Sequence, residues 1–347
     1  MMKKLLRIIL SVIILLLLAF CIFLLFSTIT EFRPPDADVL STTGEAPPLP
    51  DSQVYSAMSW NLGYAGLGAN MDFFYDGGTG VRDTRANVLK NYTAIRNFLI
   101  RNDSIDFILL QEIDVKSKRS YGFNQYEEIG GLLSHHRGEL ALNYKVNFVP
   151  VPPLDPMGKV KSGIATFSRF FPVTSIRYSF HGDFKWPLRS FELKRCYLAN
   201  RYSVGNGKEL ILINTHNSAY DDGSLRAIQI KELSDYMLAE FQNGNYVLAG
   251  GDWNQCPSGF KPGYINFDKQ NLSYLPDDFL KGWKQYYSDS IPTNRRVTEP
   301  YNKQSTSVTT IDFFIASPNI KVIDISIADL DFKNSDHHPV LINFMLK

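Results

Sequence analysis

Residues 8–26 form an unbroken apolar run of 19 residues in which Ser11 is the one polar side chain. Such a segment has no polar face to show to water, so it is not an ordinary amphipathic surface helix. As a helix rising about 1.5 Å per residue, it spans roughly the 30 Å hydrocarbon core of a bilayer. Lys3, Lys4 and Arg7 precede the run. By the positive-inside tendency they keep the N-terminus in the cytoplasm and send the rest of the chain across the membrane, to a periplasmic or extracellular location. A cleaved signal peptide has a shorter apolar stretch of about 7–15 residues and ends in small residues. Here Phe20, Ile22, Phe23 and Phe26 fill the second half. Leu18-Ala19-Phe20-Cys21 matches a lipoprotein box only loosely, because Phe20 stands where a small residue is wanted. A retained single-pass anchor over residues 1–30 is therefore expected ahead of a cleaved signal or a lipoprotein.

Pro34, Pro35, Pro47, Pro48 and Pro50 follow, without apolar periodicity. Residues 31–51 are expected to run as an extended linker, which leaves residues 52–347 as the functional domain. The 347-residue chain is 44% apolar and 20% charged, a composition that excludes a wholly disordered or collagen-like protein. Beyond residue 30 there are 33 basic residues against 35 acidic ones, a net −2. That is not the basic footprint of a tight duplex binder, although a local patch on a monomer could still serve nucleic acid. Three cysteines, one of them in the apolar run, exclude a disulfide-dense scaffold and zinc sites of several thiolates.

Short apolar runs then alternate with helical patterns. Strands are expected over 54–60, 105–110, 163–167, 191–199, 209–214, 246–249, 310–315 and 340–345, and helices over 84–100 and 224–241. Many short strands with interspersed helices point to two packed sheets flanked by helices. Polar groups recur where the buried strands stop. Asn61 ends the first and Glu112 follows the second, His216 follows 209–214, and Asp252 and Asn254 follow 246–249. Asp312 lies in a late strand, and Asp336-His337-His338 precedes the last. Such groups have little packing purpose, and convergence at one sheet rim is the usual geometry of an active site.

Seven segments carry a family resemblance. They are Ser59-Trp60-Asn61-Leu62, Leu110-Gln111-Glu112, Gly163 to Arg169, Asn214-Thr215-His216, Gly251-Asp252-Trp253-Asn254, Ile311-Asp312-Phe313-Phe314 and Ser335 to Val340. Together and in this order, the chain resembles the endonuclease/exonuclease/phosphatase superfamily from about residue 54 to its end. The resemblance implies a four-layer α/β/β/α sandwich and metal-dependent cleavage of phosphate esters. Hydrolysis of an anionic diester needs charge neutralisation and an oriented water. Oxygen-rich, thiolate-free ligands suit Mg²⁺ or Mn²⁺. On this reading Glu112, Asn61 and Asp336 hold the metal. Asp252, helped by Asn254, orients or deprotonates water. Asp312 pairs with His337, which donates to a phosphate oxygen or helps deliver the proton, and His216 contacts the phosphate from the other side as a candidate general acid.

The branch within the superfamily is less constrained. Abasic-site repair members carry an acid where Gly63 stands and lack a counterpart of His216, whereas deoxyribonuclease-like and sphingomyelinase-like members have that His. Arg226 and Gln229 resemble the same broader group. The expected function is phosphodiester cleavage by a membrane-anchored, nuclease-like enzyme. The alternatives are a phospholipase or phosphoinositide phosphatase acting on lipid head groups, and a non-catalytic binding member. The aromatic loop over residues 66–78 is expected to overhang the site and pack onto itself, with base stacking or lipid contact as the other readings, and its Asp72 and Asp76 are candidates for a second cation. His135-His136-Arg137 is expected at the solvated surface.

Overall fold

The computed structural model describes residues 2–43, 46–50, 52–268 and 273–347. Along the chain they form α1 (Met2–Ile29), β1 (Ala37–Thr42), β2 (Val54–Asn61), α2 (Arg85–Arg101), β3 (Phe107–Asp114), α3 (Gln125–Leu132), β4 (Arg137–Val149) and β5 (Gly158–Ser168). There follow β6 (Thr174–Ser179), β7 (Cys196–Ser203), β8 (Glu209–His216), α4 (Ser224–Gln242), β9 (Tyr246–Asp252) and β10 (Lys284–Tyr286). The chain ends with β11 (Asn294–Arg295), β12 (Val308–Thr309), β13 (Asp312–Ala316), β14 (Ile320–Ile327) and β15 (Val340–Leu346).

Two mixed sheets carry the fold, one ordered β1-β6-β7-β8-β9-β13-β10 and the other β14-β15-β2-β3-β5-β4. The two-residue period of a strand explains how they stack. In β3, Phe107 and Leu109 enter the core between the sheets, while Ile108 and Leu110 face α2 with Val88, Ile95 and Leu99. In β8, Leu210 and Leu212 enter the same central core, and Ile211 and Ile213 face α4 with Leu233 and Met237. Each sheet is thus apolar on both faces, and the helices cover the two outer ones. α2 starts where Thr84 accepts a bond from the Asn87 amide at 3.2 Å, a side-chain cap for a first-turn donor. β2 and β3 run parallel, as do β8 and β9, so their carboxyl ends form a common rim.

α1 is long and apolar enough to cross a membrane. The residues after it do not run free as the expected linker. β1 pairs antiparallel with β6 as an edge strand, and Leu49 is buried in the central core. Residues 44, 45 and 51 of that segment lie outside the described residues. Alternating apolar and β-branched residues in Asp38-Val39-Leu40-Ser41-Thr42 outweigh the flanking prolines. The strand expected over 191–199 begins only at Cys196, because Leu188–Ser190 is a 3-10 turn and the Phe191 amide bonds back to the Leu188 carbonyl at 2.9 Å. His136 is half-buried rather than solvated, with Nε2 on the Ile105 carbonyl at 2.8 Å.

Candidate active site

Strand register builds one half of the site. His216 on β8 lies opposite Asp252 on β9, and Asp252 lies opposite Asp312 on β13. Three neighbouring strands therefore present three polar side chains at one level of the rim. All three are buried. Asp312 Oδ2 takes the His337 Nδ1 proton at 2.8 Å. Asp252 Oδ1 accepts from the Asn254 amide at 3.0 Å, and its Oδ2 accepts from Asn61 Nδ2 at 2.9 Å. His216 Nε2 stands 3.5 Å from Asp252 Oδ2 and 3.9 Å from Glu112 Oε1. The turn after His216 is pinned from α4, where Gln229 bonds the Ser218 amide and hydroxyl, and Asp221 takes the Leu225 and Arg226 amides.

The other sheet supplies its groups through irregular backbone. Register shifts between Leu110 and Ile113 on β3, and Glu112 sits there with φ +53. Such a bulge re-aims a side chain out of the pleat, and a left-handed Glu costs on the order of 1–3 kcal/mol. Asn254 has φ +50. Strain at two of the expected site residues is stored where a fixed aim is worth the cost. Asp336 and His337 come from the turn before β15, which Ser335 Oγ ties to the Asn61 carbonyl at 2.8 Å and Trp60 Nε1 ties to the His337 carbonyl at 3.0 Å. Gly63 has φ +50, and a Cβ there would lie 2.6 Å from Asp336 Oδ1, so both conformation and space require glycine.

Electrostatics separates the two histidines. Burial alone would lower the His337 pKa, but the carboxylates of Asp312, Asp336 and Asp252 outweigh it and hold the ring charged. Burial, with the nearby cations Arg195, His337 and Arg119, pushes His216 well below its ordinary value, so that ring is neutral. Among the described residues His216 Nδ1 has no hydrogen-bond partner. A neutral His216 departs from the expected general acid. Burial also raises Asp252, and it lifts Asp336 to about 7 with help from Glu112.

These buried carboxylates are short of positive charge, and their all-oxygen donor set fits a hard divalent cation. Glu112 and Asp336 face that space with oxygens to spare. Asn61 does not present its oxygen in the same way. Its Oδ1 accepts from the Gly63 amide at 2.9 Å, and its Nδ2 points at Asp252 and, at 3.5 Å, at Glu112. Asn61 is thus placed as a clamp between the acids. Ligand atoms of Asp252, Asp312 and His337 also lie within 4.8 Å of one another, a grouping the Asp312–His337 hydrogen bond already accounts for.

The sequence reading missed several contributors. Arg119 is buried, stacks 3.7 Å over the Tyr64 ring, pairs with Asp114 at 3.0 Å and stands 4.0 Å from Glu112. Arg195 lines the same cavity as Glu112, His216 and Asp252, and its Nη1 is closed to solvent with no hydrogen bond among the described residues. The Lys194-Arg195 pair ahead of an apolar strand was the signal for it. The 66–78 loop packs onto itself, as expected. Phe73 and Tyr75 join a core with Tyr144 and Val297. Asp72 binds the Thr79 amide and hydroxyl at 2.9 and 2.6 Å. Asp76 takes the Tyr220 hydroxyl and the Val297 amide. Asp72 is thus committed to closing the loop and Asp76 to tying it to the segments around Tyr220 and Val297. Cys256 is buried beside Thr309, as a small core side chain.

The sequence profile described as "Endonuclease/Exonuclease/phosphatase family" matches residues 58–337. The chain belongs to that family. Members generally are phosphoesterase hydrolases that use divalent metals. Solved structures share the fold. An endonuclease/exonuclease/phosphatase from Beutenbergia cavernae is 18% identical with a TM-score of 0.57, over 84% of this chain and 72% of that one. Truncated TDP2 from Caenorhabditis elegans is 18% identical with a TM-score of 0.53, over 84% and 97%. The human nocturnin catalytic domain, solved with a bound sulfate anion, is 18% identical with a TM-score of 0.53, over 91% and 100%. No curated protein matches the sequence.

Proposed function

We propose that the chain hydrolyses phosphodiester bonds with a divalent metal, Mg²⁺ or Mn²⁺, and is held by α1 in a membrane with its catalytic domain, residues 52–347 together with β1 and Leu49, on the exported side. The observation that carries this is the meeting of two rows of polar side chains, all buried except the half-buried Glu112, five of which line one cavity. His216, Asp252 and Asp312 come from one sheet, and Asn61, Glu112, Asp336 and His337 from the other.

Glu112 and Asp336 would hold the cation, which when bound supplies positive charge to the phosphate oxygens. Asp252 accepts the proton of the attacking water. Its raised pKa brings it nearer the value a general base needs, and Asn61 and the Asn254 amide fix its two oxygens. His337, held charged, has Nε2 3.0 Å from the Asn294 side-chain amide and 3.8 Å from Asp252 Oδ2, and Asp312 sets its ring. Of the two roles expected of it, His337 thus delivers the proton. Neutral His216, with Nε2 toward the acids, donates a hydrogen bond to a phosphate oxygen.

The test is turnover of bis(p-nitrophenyl) phosphate by the full chain in detergent with Mg²⁺ or Mn²⁺. Turnover that stops in excess EDTA is expected. Undiminished activity in EDTA would sink the reading. The anchor is checked separately, by sequencing the mature N-terminus and by protease added outside intact cells.

A further inference from the structure

The cavity in front of the site holds about 960 Å³ and is not uniform. One end is the acid, histidine and arginine cluster. A second part of its lining, the arm, is made of Tyr144, Val149, Val151, Met157, Leu188 and Phe191, which are apolar or aromatic. Phosphodiester hydrolysis of a small polar substrate gives such an arm nothing to do.

The arm leads to α1. Phe23 stacks on Phe191 with centroids 5.6 Å apart, and meets Phe148 edge-on at 6.0 Å. Trp186 Nε1 donates to Thr28 Oγ1 at 3.0 Å, and Lys194 pairs with Glu31 at 3.0 Å. Around this contact Phe148, Val151, Leu154, Trp186 and Leu188 are exposed, Leu154 completely. Two of them, Val151 and Leu188, also line the cavity.

The length of α1 sets the height of this mouth. Its 28 residues reach about 42 Å, whereas a hydrocarbon core of about 30 Å uses about 20 of them. The apolar run over residues 8–26 takes up that core, so Phe23 lies just inside its exit edge, while Thr28, with Trp186 beside it, stands at the interfacial level where tryptophan resides. The exposed apolar collar, tied to α1 at Phe23 and Thr28, therefore meets the edge of the hydrocarbon core, and through Val151 and Leu188 it is continuous with the arm.

Resting on the phosphodiesterase reading above, we infer that the substrate is a membrane phospholipid of the leaflet into which the collar dips. Its acyl end lies in the apolar arm and its phosphate reaches Glu112, His216 and Asp252, where Arg195 Nη1 offers an unused donor. Water adds to phosphorus and one P–O ester bond breaks. The proton lost by the water goes to the departing oxygen, leaving an alcohol and a phosphomonoester. A nucleic-acid strand matches neither the arm nor the collar, and its backbone calls for a basic track that a net −2 beyond the anchor does not suggest.

The experiment uses the full chain reconstituted with Mg²⁺ or Mn²⁺ in vesicles containing phosphatidylcholine, phosphatidylethanolamine, phosphatidylglycerol and sphingomyelin. Bis(p-nitrophenyl) phosphate, plasmid DNA and RNA are assayed in parallel. At least one vesicle lipid should be hydrolysed. Leu188→Asp should lower the ratio of lipid to soluble-diester turnover about tenfold or more, because a charge in the arm opposes apolar contact. Val151→Asp should repeat the effect, and thermal melting shows whether each variant is folded. Turnover of the soluble diester with no lipid hydrolysed overturns the inference and leaves the phosphodiesterase reading standing. So does cleavage of DNA or RNA alone, or a ratio unmoved in folded variants. Inactivity on every substrate overturns both.

Discussion

The two ends of the cavity are built by different means. At the polar end, strand register fixes His216, Asp252 and Asp312, and bulges and tight turns aim Glu112 and Asp336. The apolar arm takes Tyr144 and Val149 from β4 but is otherwise built from loops around residues 150–157 and 188–191, with the end of α1 beside them. Chemistry tolerates little displacement of the reacting groups, so it is mounted on the rigid rim. Selection of an apolar substrate portion needs volume and dryness, which loops supply. Substitutions at the polar end should therefore cost rate on every substrate, and those in the arm should change which substrate is preferred.

Glu112→Gln should show the largest effect. Turnover should fall by about a hundredfold or more on any substrate, with a higher half-saturating metal concentration, since a charged ligand is lost. Metal titration of steady-state rates checks this, with an unchanged melting temperature as the control for folding. Next come Asp252→Asn and His337→Ala, each expected to remove most activity, with the double variant little worse than either because both act in one transition state. Fully additive losses in kcat would make one of them merely structural. Arg195→Ala should cost about tenfold, partly restored in Arg195→Lys, as expected for a charged donor to phosphate. Equal rates in all three proteins would remove Arg195 from the polar end.

Glu192, on the boundary between the two ends, should give the smallest effect and act on stability. Burial raises its pKa above the ordinary 4.5. For an acid the sign is then fixed: the folded protein resists ionisation, so the carboxylate costs stability as pH rises above its unfolded value. Glu192→Gln should melt higher than the parent at pH 7.5, and the gain should vanish below about pH 4.5. A gain that persists in acid would mean that burial of the charge is not its cause.

The same contrast governs what the sequence disclosed. Asn61, Glu112, His216, Asp252, Asp312 and Asp336-His337 were readable because each sits beside an apolar strand, and strand ends are local features. Their mutual arrangement was not readable in full. Only the bonds from Gly63 and to Asp252 show which way the Asn61 amide turns, and only burial together with the surrounding charges shows that His216 is neutral and His337 charged. Long-range placement hid Arg195 and Arg119, whose roles depend on neighbours distant in sequence. The arm left no periodic pattern, being drawn mostly from loops. β1 was hidden by the prolines around it, because its partner β6 lies more than a hundred residues away.

That strand has a practical consequence for anyone preparing a soluble form. Cutting at residue 52, where the family motifs suggest the domain begins, would strip β1 from β6 and remove Leu49 from the central core. The bare edge of β6 would offer its unpaired amides and carbonyls to the next molecule, a known route to edge-to-edge association. Cutting just before Glu31 keeps the strand and the Glu31–Lys194 pair together, and sheds the greasy helix alone.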